Sequence, residues 1–304
     1  MPPHIGTKGE IMYLLRSMLF VPAHVQKFME SAAKYDADCL ILDIEDSVPD
    51  REKDNARNNI KQALMNNFFG DRQIIVRINS LDTALTEKDI AQTMHPRLLG
   101  YMPSKVYSNE DIIKVTEYLG KYEYEYKYVA FKLLPLIETT ESIFNVHSIA
   151  KSSPRLIALC FGNEDLVTDL HGESDAELRT LEVPRFLVCA AARAAGIEPI
   201  DTVFLDVKND AAFQKREEFA KRIGYAGTLC LHPSQIAVAN ECFSPSLRDI
   251  EKSKKIVDAI LKSTREGRSI TLLDGKVIGP PMIKKAYKIL EQVEAIKEIE
   301  CPKS

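Results

Sequence analysis

Residues 39–50, CLILDIEDSVPD, place Asp43, Glu45 and Asp46 at the end of an almost wholly apolar run. Such a run reads as a strand covered on both faces, and carboxylates buried there are costly unless a cation balances them. Acids recur after other apolar runs: Glu138 follows VAFKLLPLI (129–137), and Asn163, Glu164 and Asp165 follow RLIALCF (155–161). In QIIVRIN (73–79), alternation puts Ile75, Arg77 and Asn79 on one face and Ile74, Val76 and Ile78 on the other. The apolar face should meet helices, so Arg77 should turn inward toward carboxylates of the protein or of a ligand. Lys105, Asp206 and His232 complete the polar strand ends.

An all-oxygen cluster without paired Cys or His suits a hard cation, Mg²⁺ or Mn²⁺. Mg²⁺ takes one or two carboxylates and completes its shell with water and substrate oxygens. Glu138 and Asp165, at adjacent strand ends, are the expected metal ligands. Asp43, Glu45 and Asp46 are left to bind metal-held waters or to orient ligands. Each acid also has a structural reading: Asp43 as counter-ion of Arg77, Ser47 or Asp50 as a helix cap, and Glu138 as part of a helix start with Thr139 and Thr140.

The elements that must hold these residues alternate in type. Strands are expected at 17–22, 39–44, 73–79, 99–104, 129–137, 155–161, 200–205 and 226–231. Helical patterns lie between them, including 24–35, 50–66, 109–121, 139–151, 184–195 and 209–223, with a last one at 233–243. Eight strands each followed by a helix predict a (β/α)8 barrel over 1–243, whose active site forms where strands end. A doubly wound open sheet competes, but no GxGxxG or GxxxxGK[ST] turn follows any strand. Residues 244–304 change character: an amphipathic helix, a hairpin with an Asp-Gly turn, and a final helix. This tail reads as a lid or an oligomerisation arm.

Composition narrows the partners. The chain of 304 residues carries a formal charge of −4, which gives no footprint for nucleic acid. The densest basic groups, KSKK at 252–255 and KK at 284–285, fit solvated helix faces. No apolar run approaches the ~18 residues of a membrane helix, and the first residues lack signal-peptide anatomy, so a cytoplasmic protein is expected. The six cysteines form no CxxC pair and no metal-like cadence.

The segments RSMLFVPAHVQKFMESAAKYDADCLILDIEDSV (16–48), VRIN (76–79), LLPLIETTESIFNVHSIA (133–150), CFGNEDLVTDLHG (160–172), AARAAGIEPIDTVFLD (191–206) and LCLHPSQIAVAN (229–240) resemble, in order, the citrate lyase β-subunit family of the HpcH/HpaI aldolase superfamily. FSPSLRDIEKSKKIVDAI (243–260) and DGKVIGPPMIKKAYKIL (274–290) continue the match into the tail. That family includes malyl-CoA, citramalyl-CoA and citryl-CoA lyases. The resemblance implies a (β/α)8 barrel with a lid-like tail, assembled as homotrimers. It also implies a magnesium ion on Glu138 and Asp165, and substrate binding by Arg16, Arg77 and Glu138. The substrates it implies are a 2-oxo acid and an acyl thioester of coenzyme A or an acyl-carrier protein. The implied reaction is reversible carbon–carbon cleavage of a 3-hydroxyacyl thioester, with Arg77, Asp43 and Asp46 in the catalytic set. The chain departs from the pattern where many members read GKMID: here 275–279 read GKVIG, so Gly279 stands where an acid/base Asp is otherwise supplied to a neighbouring subunit. Asp274, five residues earlier, is a candidate substitute. Two rival readings remain open. One is a magnesium-dependent aldolase for free hydroxy acids with His24 as base; the other is a non-catalytic paralogue that binds metal and a small 2-oxo acid, for which Gly279 argues.

Overall fold

A computed structural model describes residues 13–128, 130–173, 179–266 and 271–300. Nine strands form one parallel sheet: β1 (Ser17–Pro22), β2 (Cys39–Asp43), β3 (Gln73–Ile78), β4 (Gly100–Pro103), β5 (Lys132–Leu133), β6 (Leu136–Ile137), β7 (Ala158–Phe161), β8 (Glu198–Asp201) and β9 (Gly227–Cys230). The order is β5-β4-β3-β2-β1-β9-β8-β7-β6. Helices α1 (Gln26–Ala32), α2 (Lys53–Met65), α3 (Thr86–Thr93), α4 (Asn109–Tyr126), α5 (Thr140–Ala150), α6 (Glu164–Asp169), α7 (Glu182–Ala195), α8 (Asp210–Ile223) and α9 (Ser234–Phe243) alternate with them. Parallel neighbours require such crossovers, and the result is an α/β fold with a curled sheet.

Alternation along the strands sorts the core into two layers. Leu40, Leu42, Ile74, Val76, Leu159 and Phe161 pack in the layer shared with the helices. Met18, Ile41, Ile75, Met102, Leu136 and Cys160 are equally buried but lie outside that layer, on the opposite face. Arg77 is two residues from Ile75 and shares its face, as the period-two pattern predicts.

The expected fifth strand, 129–137, is interrupted. Pro135 has no N–H to donate, and it separates β5, paired with β4, from β6, paired with β7. Residue 129 lies outside the described residues. Leu133 also bridges Leu156 in parallel, and the Leu133 N–H donates to the Arg155 carbonyl at 2.9 Å. Strand β8 starts two residues earlier than expected and ends at Asp201 rather than residue 205. Helices α3 and α6 were not foreseen.

The chain divides into two compact units at Phe243/Ser244, with Leu14 grouped with the second. The second unit holds α10 (Leu247–Arg265), a two-residue-per-strand hairpin of β10 (Leu272–Leu273) and β11 (Lys276–Val277), and α11 (Pro280–Glu300). Ile256, Ile278 and Ala286 form its small core. Asp274 and Gly275 both have positive φ, 50° and 75°, which the tight Asp-Gly turn requires. Lys252, Lys254 and Lys255 on α10 and Lys284 and Lys285 on α11 are exposed, in keeping with solvated faces. Among the described residues no helix is long and apolar enough to cross a membrane.

Candidate active site

Parallel register brings Asp43 of β2 beside Arg77 of β3 at the carboxyl ends of both strands. Arg77 Nε donates to Asp43 Oδ1 at 2.7 Å and Nη2 donates to Oδ2 at 2.6 Å, a two-pronged pair. Its guanidinium carbon sits 4.7 Å from the Phe20 ring centroid, so β1 supplies an aromatic face to the cation. Asp43 Oδ1 also accepts the Glu45 N–H at 2.9 Å, and Oδ2 accepts from the Ser47 hydroxyl. Burial raises the Asp43 carboxyl, yet the Arg77 guanidinium and these donors outweigh it and hold the carboxyl below its usual range.

The loop after β2 adds two more acids. Arg77 Nη1 lies 3.2 Å from Glu45 Oε2 and 3.8 Å from Asp46 Oδ2. Lys105, which follows β4, bridges the same pair, with Nζ 2.9 Å from Glu45 Oε1 and 3.1 Å from Asp46 Oδ1. Burial drives the Glu45 carboxyl upward against the pull of Arg77, with the neighbouring Asp46 adding to the rise. Lys105 adopts the left-handed region at φ 48°, which costs a non-glycine residue roughly 1–2 kcal/mol. In that conformation its N–H donates to Glu138 Oε1 at 2.7 Å.

Glu138 follows β6 and is buried. Burial pushes its carboxyl up to about 7; the Lys105 N–H opposes the shift and the Asp165 carboxylate adds to it. It does not cap α5: Thr139 takes that place, its hydroxyl accepting the Ser142 N–H at 3.1 Å. Gly162, at the end of β7, makes room for Glu138. A Cβ there would fall 2.6 Å from Glu138 Cβ and 2.7 Å from Oε2. The next residue, Asn163, is fixed by Thr202 after β8: the Asn163 N–H donates to the Thr202 hydroxyl at 3.1 Å, and that hydroxyl donates back to Asn163 Oδ1. This clamp sets the start of α6 and so the position of Asp165.

The structure thus brings together Asp43, Glu45, Asp46, Arg77, Lys105 and Glu138 by direct contact, with Asp165 in electrostatic reach of Glu138. Arg16 is not part of it, which corrects the expectation. It precedes β1 and so lies at the amino ends of the strands, about 20 Å from the carboxyl end at ~3.3 Å per residue. There it is buried and fixes Asp38 through Nε at 2.9 Å and Nη2 at 2.8 Å. Asn79 is turned away to Asp89 on α3, to which its side-chain nitrogen donates at 2.7 Å. His232 Nδ1 lies 2.9 Å from the Ser234 hydroxyl. His24, after β1, has a buried Nδ1 with no hydrogen-bond partner. Sequence reasoning counted Lys105 among the polar strand ends without assigning it a partner, and it missed Gly162, for which a glycine directly after an apolar strand was the available signal.

Five carboxyl groups facing two cations leave an excess of negative charge and an all-oxygen donor set, which fits a divalent hard cation. Glu138 Oε1 is held by Lys105, while no described residue donates a hydrogen bond to Oε2, which lies where a Cβ on Gly162 would crowd it. Among the described residues no group of three or more His, Cys, Asp or Glu could hold a metal. Two carboxylates are the number Mg²⁺ commonly takes from a protein.

A parallel α/β sheet that gathers acids and cations where its strands end has the plan of an α/β enzyme. The chain belongs to the HpcH/HpaI aldolase/citrate lyase family, whose profile matches residues 16–233. It is 32% identical over 286 residues to the citrate lyase subunit beta of Haemophilus influenzae, covering 93% of this chain and 98% of that one. It is 30% identical to the (3S)-malyl-CoA thioesterase of Cereibacter sphaeroides, covering 92% and 95%. Among solved structures it resembles protein CitE of Mycobacterium tuberculosis in complex with magnesium, acetoacetate and coenzyme A. There the TM-score is 0.71 and the identity 25%, over 91% of this chain and 97% of that one.

Proposed function

We propose that this protein is a Mg²⁺-dependent carbon–carbon lyase that cleaves or forms a 3-hydroxyacyl-CoA thioester, yielding an acyl thioester and a 2-oxo acid. The observation that carries the reading is the strand-end cluster in which Arg77 and Lys105 face Asp43, Glu45, Asp46 and Glu138. We take the curled sheet as a (β/α)8 barrel in which β5 and β6 together serve as one strand, and residues 244–304 as a lid or oligomerisation arm. Exposed Phe144 on α5 and Val183 and Phe186 on α7 support a homotrimer or higher homo-oligomer.

Glu138 and Asp165 would hold Mg²⁺, which when bound supplies Lewis acidity to the carboxylate and keto oxygens of the 2-oxo acid. Asp43 fixes the Arg77 fork, with Nη1 beside Glu45 and Asp46, so the guanidinium charge is held in place to stabilise the charge that develops on oxygen as the bond breaks. Asp46, half exposed between Arg77 and Lys105, orients the ligand. In cleavage the substrate hydroxyl loses its proton, the carbon–carbon bond breaks to give the keto group and a thioester enolate, and that enolate takes up a proton.

The test is direct. Purified protein with Mg²⁺ and malyl-, citramalyl- or citryl-CoA should release a 2-oxo acid from at least one, and chelation should stop it. Release of free CoA without 2-oxo acid would replace the lyase with a thioester hydrolase. Binding of Mg²⁺ and oxo acid without turnover would favour the paralogue reading that Gly279 supports.

A further inference from the structure

Both edges of the Arg77 guanidinium are engaged by the protein. Nε and Nη2 are held by Asp43, and Nη1 lies beside Glu45 and Asp46. Its side chain is 12% exposed, whereas that of Lys105 is 32% exposed. An ammonium carries three donors, and two of those on Lys105 meet Glu45 and Asp46. Asp46 is itself half exposed, so the carboxylate nearest solvent on this ammonium is one a ligand can displace. The Lys105 N–H meanwhile donates to Glu138, which ties the ammonium to the acid proposed as a metal ligand.

We propose that Lys105 is the second anion-contacting group of the site: its ammonium receives the carboxylate of an incoming 2-oxo acid in the place that Asp46 takes in the structure. This rests on the lyase reading only in taking a 2-oxo acid as the ligand. Arg77 then acts from a fixed position, and Lys105 is the cation that exchanges partners.

Calorimetry on the full chain separates this role from a structural one, with Mg²⁺ titrated first and oxaloacetate second. Lys105→Met should bind oxaloacetate about tenfold more weakly, the order expected for one lost charge-assisted hydrogen bond. Its Mg²⁺ affinity should be unchanged or tighter, because a positive charge has left the site. Lys105→Arg should recover much of the oxaloacetate affinity. Lys105→Asn, whose side chain tolerates positive φ, gives a second removal of charge should the Met variant fold poorly. Unchanged oxaloacetate affinity in the charge-removed variants, or a parallel loss of Mg²⁺ and oxaloacetate, overturns the proposal. A wild-type protein that binds Mg²⁺ but not oxaloacetate overturns it while leaving the metal site standing. One that binds no Mg²⁺ overturns the lyase reading and this inference together.

Discussion

A methyl group on residue 162 would meet Glu138 Cβ at 2.6 Å, closer than side chains approach in folded proteins, so Gly162→Ala must push the Glu138 carboxyl out of place. The substitution removes no ligand. It should still weaken Mg²⁺ binding by about 10- to 100-fold, the usual effect of disturbing groups that orient ligands, with the circular dichroism spectrum retained. Arg77 offers a complementary case. Lys in its place keeps the charge but cannot make the two-pronged pair with Asp43. Losing one charge-assisted hydrogen bond should lower stability by about 1.5–3 kcal/mol in urea unfolding. Pyruvate or oxaloacetate should bind more weakly while Mg²⁺ still binds; unchanged oxo-acid affinity would make Arg77 only a counter-ion of Asp43. The alternation in QIIVRIN was enough to turn Arg77 inward. The left-handed backbone of Lys105, by contrast, accompanies a hydrogen bond to Glu138, 33 residues away, and no local pattern carries it.

Elements whose burial is apolar were legible, and those held by buried charge were not. Strands β1 and β2 fall where their apolar runs predict because both faces are covered. Helix α3 has few apolar residues; Asp89 anchors it, accepting from Arg57 Nε at 2.7 Å and from the Asn79 N–H at 2.8 Å. Strand β8 ends in Asp201, which Arg185 of α7 holds in the interior, so the apolar run that follows misled the reading. The same interior contains Glu217 of α8, whose carboxyl burial pushes up to about 7 against the pull of Arg216. With the folded value above 4.5, the folded state keeps a proton that the unfolded chain loses. The stabilisation is therefore full below about pH 4.5 and is lost as pH rises toward 7, by about 3 kcal/mol in all. Urea unfolding across that window should show wild type losing this stability relative to Glu217→Gln; parallel curves would mean that Glu217 is ionised throughout.

At the scale of the whole molecule, the strand-end site and the tail raise separate questions, because the site's acids and cations all lie within Leu15–Phe243. The resemblance to citrate lyase β-subunits places a proton-transferring Asp in the tail of many members, where this chain has Gly279. Gly279 is not there to relieve crowding. A Cβ at this position would meet only Pro281 Cδ, at 3.7 Å, and the Gly279 carbonyl accepts the Met282 N–H at 3.0 Å at the start of α11. An Asp therefore fits locally without strain. A missing general acid/base costs about 10²- to 10⁴-fold in rate, so Gly279→Asp should raise the cleavage rate of a malyl-, citramalyl- or citryl-CoA by a large part of that factor. The alternative carrier is Asp274, which sits at the turn of the hairpin with φ 50°. If wild type is already fast, Gly279→Asp is neutral and Asp274→Asn abolishes turnover, the proton carrier has moved five residues along the tail. If every variant is slow while Mg²⁺ and oxaloacetate still bind, the cluster around Arg77 and Glu138 has been kept for binding alone.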